Sequence, residues 1–153
     1  METTQRVLTE IASLKSRAFS FADQLEKLRD QHRQVLDRQR ALARDITAAE
    51  NDAKDAEGLI LALVSAELDP ANKPRFTNDL TRRAETRRRL PLNTEWTTAS
   101  ARLDALQKQQ LTVQGEVAHL DDQIKTLGDR QAAFDVVVRL TIAEIAMITG
   151  GWR

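Results

Sequence analysis

Five arginines, Arg82, Arg83, Arg87, Arg88 and Arg89, fall within eight residues, and Lys73 and Arg75 stand shortly before them. A guanidinium is a planar, permanently charged fork that matches a phosphate or a carboxylate with two parallel hydrogen bonds. Over residues 71–96, seven basic residues oppose only Asp79, Glu85 and Glu95, a net of +4, whereas residues 1–70 carry −3 and residues 97–153 carry −1. The zero formal charge therefore hides a basic segment between two acidic ones. The chemistry expected of it is anion binding, with Lys73, Arg75, Arg82, Arg83, Arg87, Arg88 and Arg89 contacting the phosphates of DNA. Phe76 and Trp96 are the nearby aromatics and both fit packing roles. Plain backbone contact is thus expected ahead of base stacking. A second reading stands beside this one. Asp79 can pair with Arg82 or Arg83, and Glu85 with Arg88 or Arg89, at helical spacing. Leu80, Ala84 and Phe76 would then dock the segment on Leu59, Leu61, Leu63 and Val64, leaving the arginines as a solvated or protein-binding face.

Little else in the chain offers reactive chemistry. Cysteine is absent, which excludes disulfides and thiolate metal sites. Two histidines, His32 and His119, are too few for a metal centre, and His32 reads as a polar device that fixes helix register. Gln39, Gln110 and Gln131 read the same way. Asp121 and Asp122 are expected on exposed faces with no opposing base, and no P-loop, dinucleotide turn or activated nucleophile is present. The expectation is a protein that is not an enzyme and uses no cofactor or metal.

These side chains must be positioned by helices. One line of residues runs Val7, Ile11, Leu14, Ala18, Phe21, Leu25, Leu28, His32, Val35, Gln39, Leu42, Ile46, Ala49, Ala53, Ala56, Ile60, Leu63. A second runs Trp96, Ala99, Leu103, Leu106, Gln110, Val113, Val117, Leu120, Ile124, Leu127, Gln131, Phe134, Val138, Thr141, Ile145, Ile148. Of these 33 positions 28 are apolar, against roughly 14 expected by chance at 41% hydrophobic content. A 3.5-residue period held this long describes helices that bury a narrow stripe against a partner helix. Thr3 or Thr4 would cap the first helix, which spans 3–68. Asp69-Pro70-Ala71-Asn72-Lys73-Pro74 stops it. Residues 69–93 form the basic tip, with a short helix over 78–90 capped by Thr77 or Asn78 and ended by Pro91. Asn93 caps a last helix over 94–149, which Gly150-Gly151 ends.

The predicted fold is all-α: a single elongated domain, 1–153, built as a long antiparallel coiled-coil hairpin with a short helix at its tip. Pairing Leu63 with Trp96 makes residue numbers across the seam add to about 159. Ala49, Ala53 and Ala56 then face Gln110, Leu106 and Leu103. The rival packing gives each helix to another chain in an extended parallel dimer. Leu8, Ala22, Leu36, Ala43 and Val64 form a further stripe on the first helix, and Val137, Leu140, Ile142 and Met147 widen the apolar surface of the last. A face wider than a heptad seam implies three or four helices in section. The hairpin is thus expected to assemble as a homodimer through Leu8, Phe19, Leu36, Val137, Leu140, Ile142 and Met147, where residues 5–36 meet residues 120–148. No apolar run is long enough to span a membrane and no secretion leader is visible, so the expectation is a cytoplasmic protein without membrane contact.

The run Phe76-Thr77-Asn78-Asp79, then Arg82 or Arg83, Glu85 and Arg89-Leu90, then Glu95-Trp96, resembles a pattern in small coiled-coil proteins of phages and bacteria. Arg130-Gln131-Ala132 through Arg139-Leu140 fits the C-terminal end of the same pattern. The similarity spans about residues 76–140. Pro91-Leu92-Asn93 departs from it, standing where those proteins more often have an acidic turn. The resemblance implies an association with DNA recombination and repair. Together the readings give a non-enzymatic coiled-coil accessory protein acting on DNA. The alternative is a scaffold, adaptor or hairpin-inserting inhibitor that touches no nucleic acid, and a stalk of a secretion or rotary machine shares the geometry.

Overall fold

The computed structural model describes residues 2–148, with side chains over 5–147. The fold is all-α and no β-strand occurs among the described residues. Helix α1 spans Glu2–Ala66, α2 spans Asp79–Arg89, a 3₁₀ turn covers Leu90–Leu92, and α3 spans Thr94–Ile148. None of these helices is long and apolar enough to cross a membrane. Two compact units divide the chain. The first pairs Met1–Leu36 with Gly115–Arg153, and the second is Asp37–Gln114. Helix α1 spans Thr3 and Thr4, and the expected cap by their side chains lies outside the described residues. The Gly150-Gly151 stop lies outside the described residues.

Within each unit the two long helices meet through the heptad stripes. From Trp96 to Ile145 every position of the second stripe is buried or half-buried. The first stripe behaves alike except at Ala18 and Leu63, which are exposed. The failure at Leu63 is a change of phase: Val64 is fully buried and Leu63 is 68% exposed. After Ala56 the buried positions step by four twice, to Ile60 and then Val64. Two such steps hold the helix nearer its natural 3.6-residue turn than a strict heptad does. Val64 therefore belongs to the core of the second unit and not to an outer stripe.

Register departs from the sequence expectation as well. Phe21 packs on Phe134 with ring centroids 5.5 Å apart, His32 Nε2 lies 3.1 Å from Asp121 Oδ1, and Asp52 Oδ2 lies 3.7 Å from Arg102 Nη1. The numbers of these pairs add to between 153 and 155, not 159. The expected register hung on Leu63 opposite Trp96, and it moves once Ile60 and Val64 replace Leu63 as the inward residues.

The connection between α1 and α2 is a short, tightly bonded turn. Asn72 N–H donates to Asp69 O at 2.9 Å, and Asp69 N–H donates to Lys73 O at 2.8 Å. The Asp69 carboxylate accepts from the amides of Ala71 and Lys73 at 2.8 and 2.9 Å. Pro70 sets the first corner, and Asn72 holds φ at 63°, the left-handed conformation that asparagine tolerates better than most residues. Arg75 N–H then donates to Glu67 O at 2.9 Å, which brings the chain back beside the end of α1.

Asn78 and Asn93 cap their helices as the sequence implies. Asn78 Oδ1 accepts from Thr81 N–H at 2.8 Å, and Asn93 Oδ1 accepts from Trp96 N–H at 2.8 Å. Each satisfies an amide that has no partner inside its helix. Asn78→Ala should lower stability by about 1 kcal/mol in urea unfolding, with Asn78→Asp close to wild type. An unchanged midpoint for Asn78→Ala would remove the cap from the account of α2.

Candidate functional site

The tip of the second unit closes on an apolar cluster. Ile60, Val64 and Leu90 are buried together, and Phe76 and Trp96 pack against them. Leu90 enters this cluster because Pro91 ends α2 in a 3₁₀ turn at that point. Phe76 docks, but on Ile60, Val64 and Leu90, while the expected Leu59, Leu61 and Leu63 are exposed; Leu80 and Ala84 do not dock. Leu80 is 80% exposed, and Ala84 is exposed too. Helix α2 instead turns inward the face that carries Arg82, Glu85, Thr86 and Arg89, residues three or four apart on one side of the helix. Thr86 is buried, with its hydroxyl donating to Arg82 O at 2.9 Å.

That inward face is held by ion pairs. Glu85 is gripped by two arginines. Arg88 donates to it from Nε at 2.9 Å and from Nη2 at 2.7 Å, and Arg89 donates from Nε at 2.7 Å. Arg89 Nη2 also donates to Glu67 Oε2 at 2.6 Å, across to the end of α1. The other oxygen of Glu67 accepts from Arg75. Glu67 and Glu85 with Arg75, Arg88 and Arg89 thus form one continuous chain of charge-assisted hydrogen bonds joining α1, the loop and α2. The donors stabilise the ionised carboxylates. Arg88 first and Arg89 second hold the Glu85 carboxyl down to about 2, against an ordinary 4.5. Arg89 first, with Arg75 adding to it against the cost of burial, lowers Glu67 as well. Arg88 and Arg89 are raised in turn, chiefly by their bonds to Glu85.

The seven expected anion-binding residues therefore divide. Arg75, Arg88 and Arg89 are committed to Glu67 and Glu85, and the Arg75 guanidinium also lies 5.6 Å from the centre of the Phe76 ring. Arg82 is a partial case: Nη2 lies 3.5 Å from Asp79 Oδ1, while Nε is buried with no hydrogen-bond partner among the described residues. Lys73, Arg83 and Arg87 are exposed, and their side chains meet no carboxylate among the described residues. Arg83 and Arg87, four residues apart, share the outward face of α2 with Leu80 and Ala84. Glu85 could be paired with Arg88 and Arg89 from local spacing. Glu67 could not, because it stands 22 residues from Arg89 and no periodicity marks it.

The residues expected to join two copies all lie in the first unit, but on two sides of its helix pair. Ile142 (58% exposed) follows the α3 heptad line of Asp121, which lies beside His32, and Leu8 (62%) follows the α1 line of Ala22 and Leu36. Phe19 (75%) lies one column further round on that side. Val137, Leu140 and Met147 continue the lines of Gln123, Arg130, His119 and Thr126, which line a groove with Gln24 and Gln31 on the opposite side. Leu36 is half-buried. One contiguous patch does not contain all seven. His119 lies in that groove with Nε2 at 3.1 Å from Gln123 Nε2, away from His32. No group of three His, Cys, Asp or Glu side chains suited to a metal occurs among the described residues. Compared with family models, with curated proteins and with solved structures, the chain matches none of them.

Proposed function

We propose that this protein is a non-enzymatic coiled-coil interaction protein, a scaffold or adaptor whose work is to bind other protein chains. The carrying observation is the exposed apolar surface of α3, where Val136, Val137, Leu140 and Met147 stand between 51% and 67% exposed over the last four described turns. A helix that is apolar on nearly every side is normally enclosed by protein. The arginine network supports the same reading, since Arg75, Arg88 and Arg89 serve to fold the tip.

A second reading, a DNA accessory role in a cytoplasmic protein, is favoured by Lys73, Arg83 and Arg87, three exposed cations on one small tip. The two readings part in a gel shift with random-sequence duplex at low and moderate salt. The scaffold reading expects no retention at moderate salt. Retention that falls steeply with salt, and is lost when Lys73, Arg83 and Arg87 become alanine, would overturn it in favour of DNA. This triple variant is the informative one, because replacing Arg88 or Arg89 would dismantle the tip itself.

A further inference from the structure

The two faces of helix α2 do different things. Arg82, Glu85, Thr86 and Arg89 turn inward, and the bonds of Arg89 to Glu67 and Glu85 fasten the helix to the end of α1. Half a turn round, Leu80, Arg83, Ala84 and Arg87 share an arc of about 100°. All four are exposed, Leu80 at 80%. No acidic residue stands on this arc. Asp79 lies beyond its edge with Oδ1 toward Arg82, and Glu85 is on the inward face. A firmly held helix therefore presents two guanidinium groups and one bare leucine on its outer side, with Ala84 keeping the centre of the arc low.

The composition of the arc specifies its complement. Two cations without a counter-charge adjoin the leucine, so an occupant must bring carboxylate or phosphate. Spacing does not choose between these anions: Arg83 and Arg87 stand one turn apart, about 6 Å along the axis, and either anion can meet them. Leu80 does choose. It gains from burial only against apolar surface, which a protein segment supplies and a phosphate backbone lacks. The exposed cations without a carboxylate are also few, Lys73, Arg83 and Arg87 on a chain of zero formal charge, whereas duplex binding draws on many phosphates together. Resting on the interaction-protein reading above, we propose that the outward face of α2 docks an acidic segment of another protein, with carboxylates on Arg83 and Arg87 and an apolar side chain on Leu80. On a partner helix the matching pattern is two acids four residues apart, with a large apolar residue three positions from one of them.

A random copolymer of glutamate and tyrosine is the probe, compared with polyglutamate and with random-sequence duplex DNA. Each is fluorescein-labelled and read by anisotropy against the full-length protein at low salt. The copolymer should bind more tightly than either comparison. Arg83→Ala combined with Arg87→Ala should weaken its binding at least about tenfold. Leu80→Ser should weaken the copolymer about tenfold, on the scale of one leucine no longer buried, and leave polyglutamate unchanged. These side chains are exposed, so helicity and the urea midpoint should stay at wild-type values. If Leu80→Ser lowers them, Leu80→Ala makes the same comparison. Equal affinity for copolymer and polyglutamate overturns the proposal, because it leaves a bare anion site. Tighter binding of duplex than of copolymer overturns it in favour of nucleic acid. Failure of every probe to bind overturns it as well, while the scaffold reading, which stands on α3 and is tested by the gel shift, is left intact.

Discussion

Ile60→Ala should destabilise the protein by about 2–4 kcal/mol, while Leu63→Ala should change it by no more than about 0.5 kcal/mol. The two side chains stand three residues apart on α1. Ile60 is 5% exposed inside the cluster with Val64 and Leu90, so truncating it removes buried methyl groups and leaves a cavity under Trp96. Leu63 is 68% exposed and loses little contact when shortened. Urea unfolding read by the fluorescence of Trp96, in a Trp152→Phe background, separates the two variants. Equal losses would mean that Leu63 carries the seam after all, and that the four-residue step from Ile60 to Val64 is misplaced.

Acid should release the tip before the long helices. A carboxyl whose folded pKa lies below its unfolded value contributes stability that is complete above the unfolded value and is lost as pH falls through the folded one. For Glu85 that window runs from 4.5 down to about 2, and Glu67 acts with the same sign. The Trp96 signal should therefore change across this interval while helicity, carried mostly by α1 and α3, declines later. Glu85→Gln has no such proton to gain, so its tip should be weaker at pH 7 and less sensitive to acid. Added salt should narrow the difference at neutral pH by screening the exposed part of the network. An acid response in Glu85→Gln as steep as in wild type would place the transition on other carboxylates.

Much of the architecture was legible because it repeats. Sixteen positions of one seam and seventeen of the other share a period, and errors at single residues average out. The caps at Asn78 and Asn93 and the break at Asp69-Pro70 were legible for a different reason, being local chemistry with few alternatives. What failed was phase and partner choice. Residues 59–64, Leu-Ile-Leu-Ala-Leu-Val, are apolar throughout, so no polar residue marks which of Leu63 and Val64 turns inward. Helix α2 misled for the converse reason. Its one leucine suggested an apolar docking face, yet the space beside α1 is filled by Leu90 and Phe76, and Arg89 is drawn inward by Glu67. A carboxylate 22 residues away leaves no trace in local spacing. The breadth of apolar surface was also readable, but its division between two sides of the first unit depends on following each heptad line around the helix.

The way α2 is fastened has a consequence for the field the tip projects. Glu67 and Glu85 sit within hydrogen-bonding distance of three of its guanidinium groups, so they mask much of the positive potential that a residue count would assign to it. Protonating or amidating those two acids would unmask the arginines while loosening the helix that bears them. Electropositive reach and structural integrity are in that sense opposed at this end of the protein, and a variant selected for one will drift away from the other.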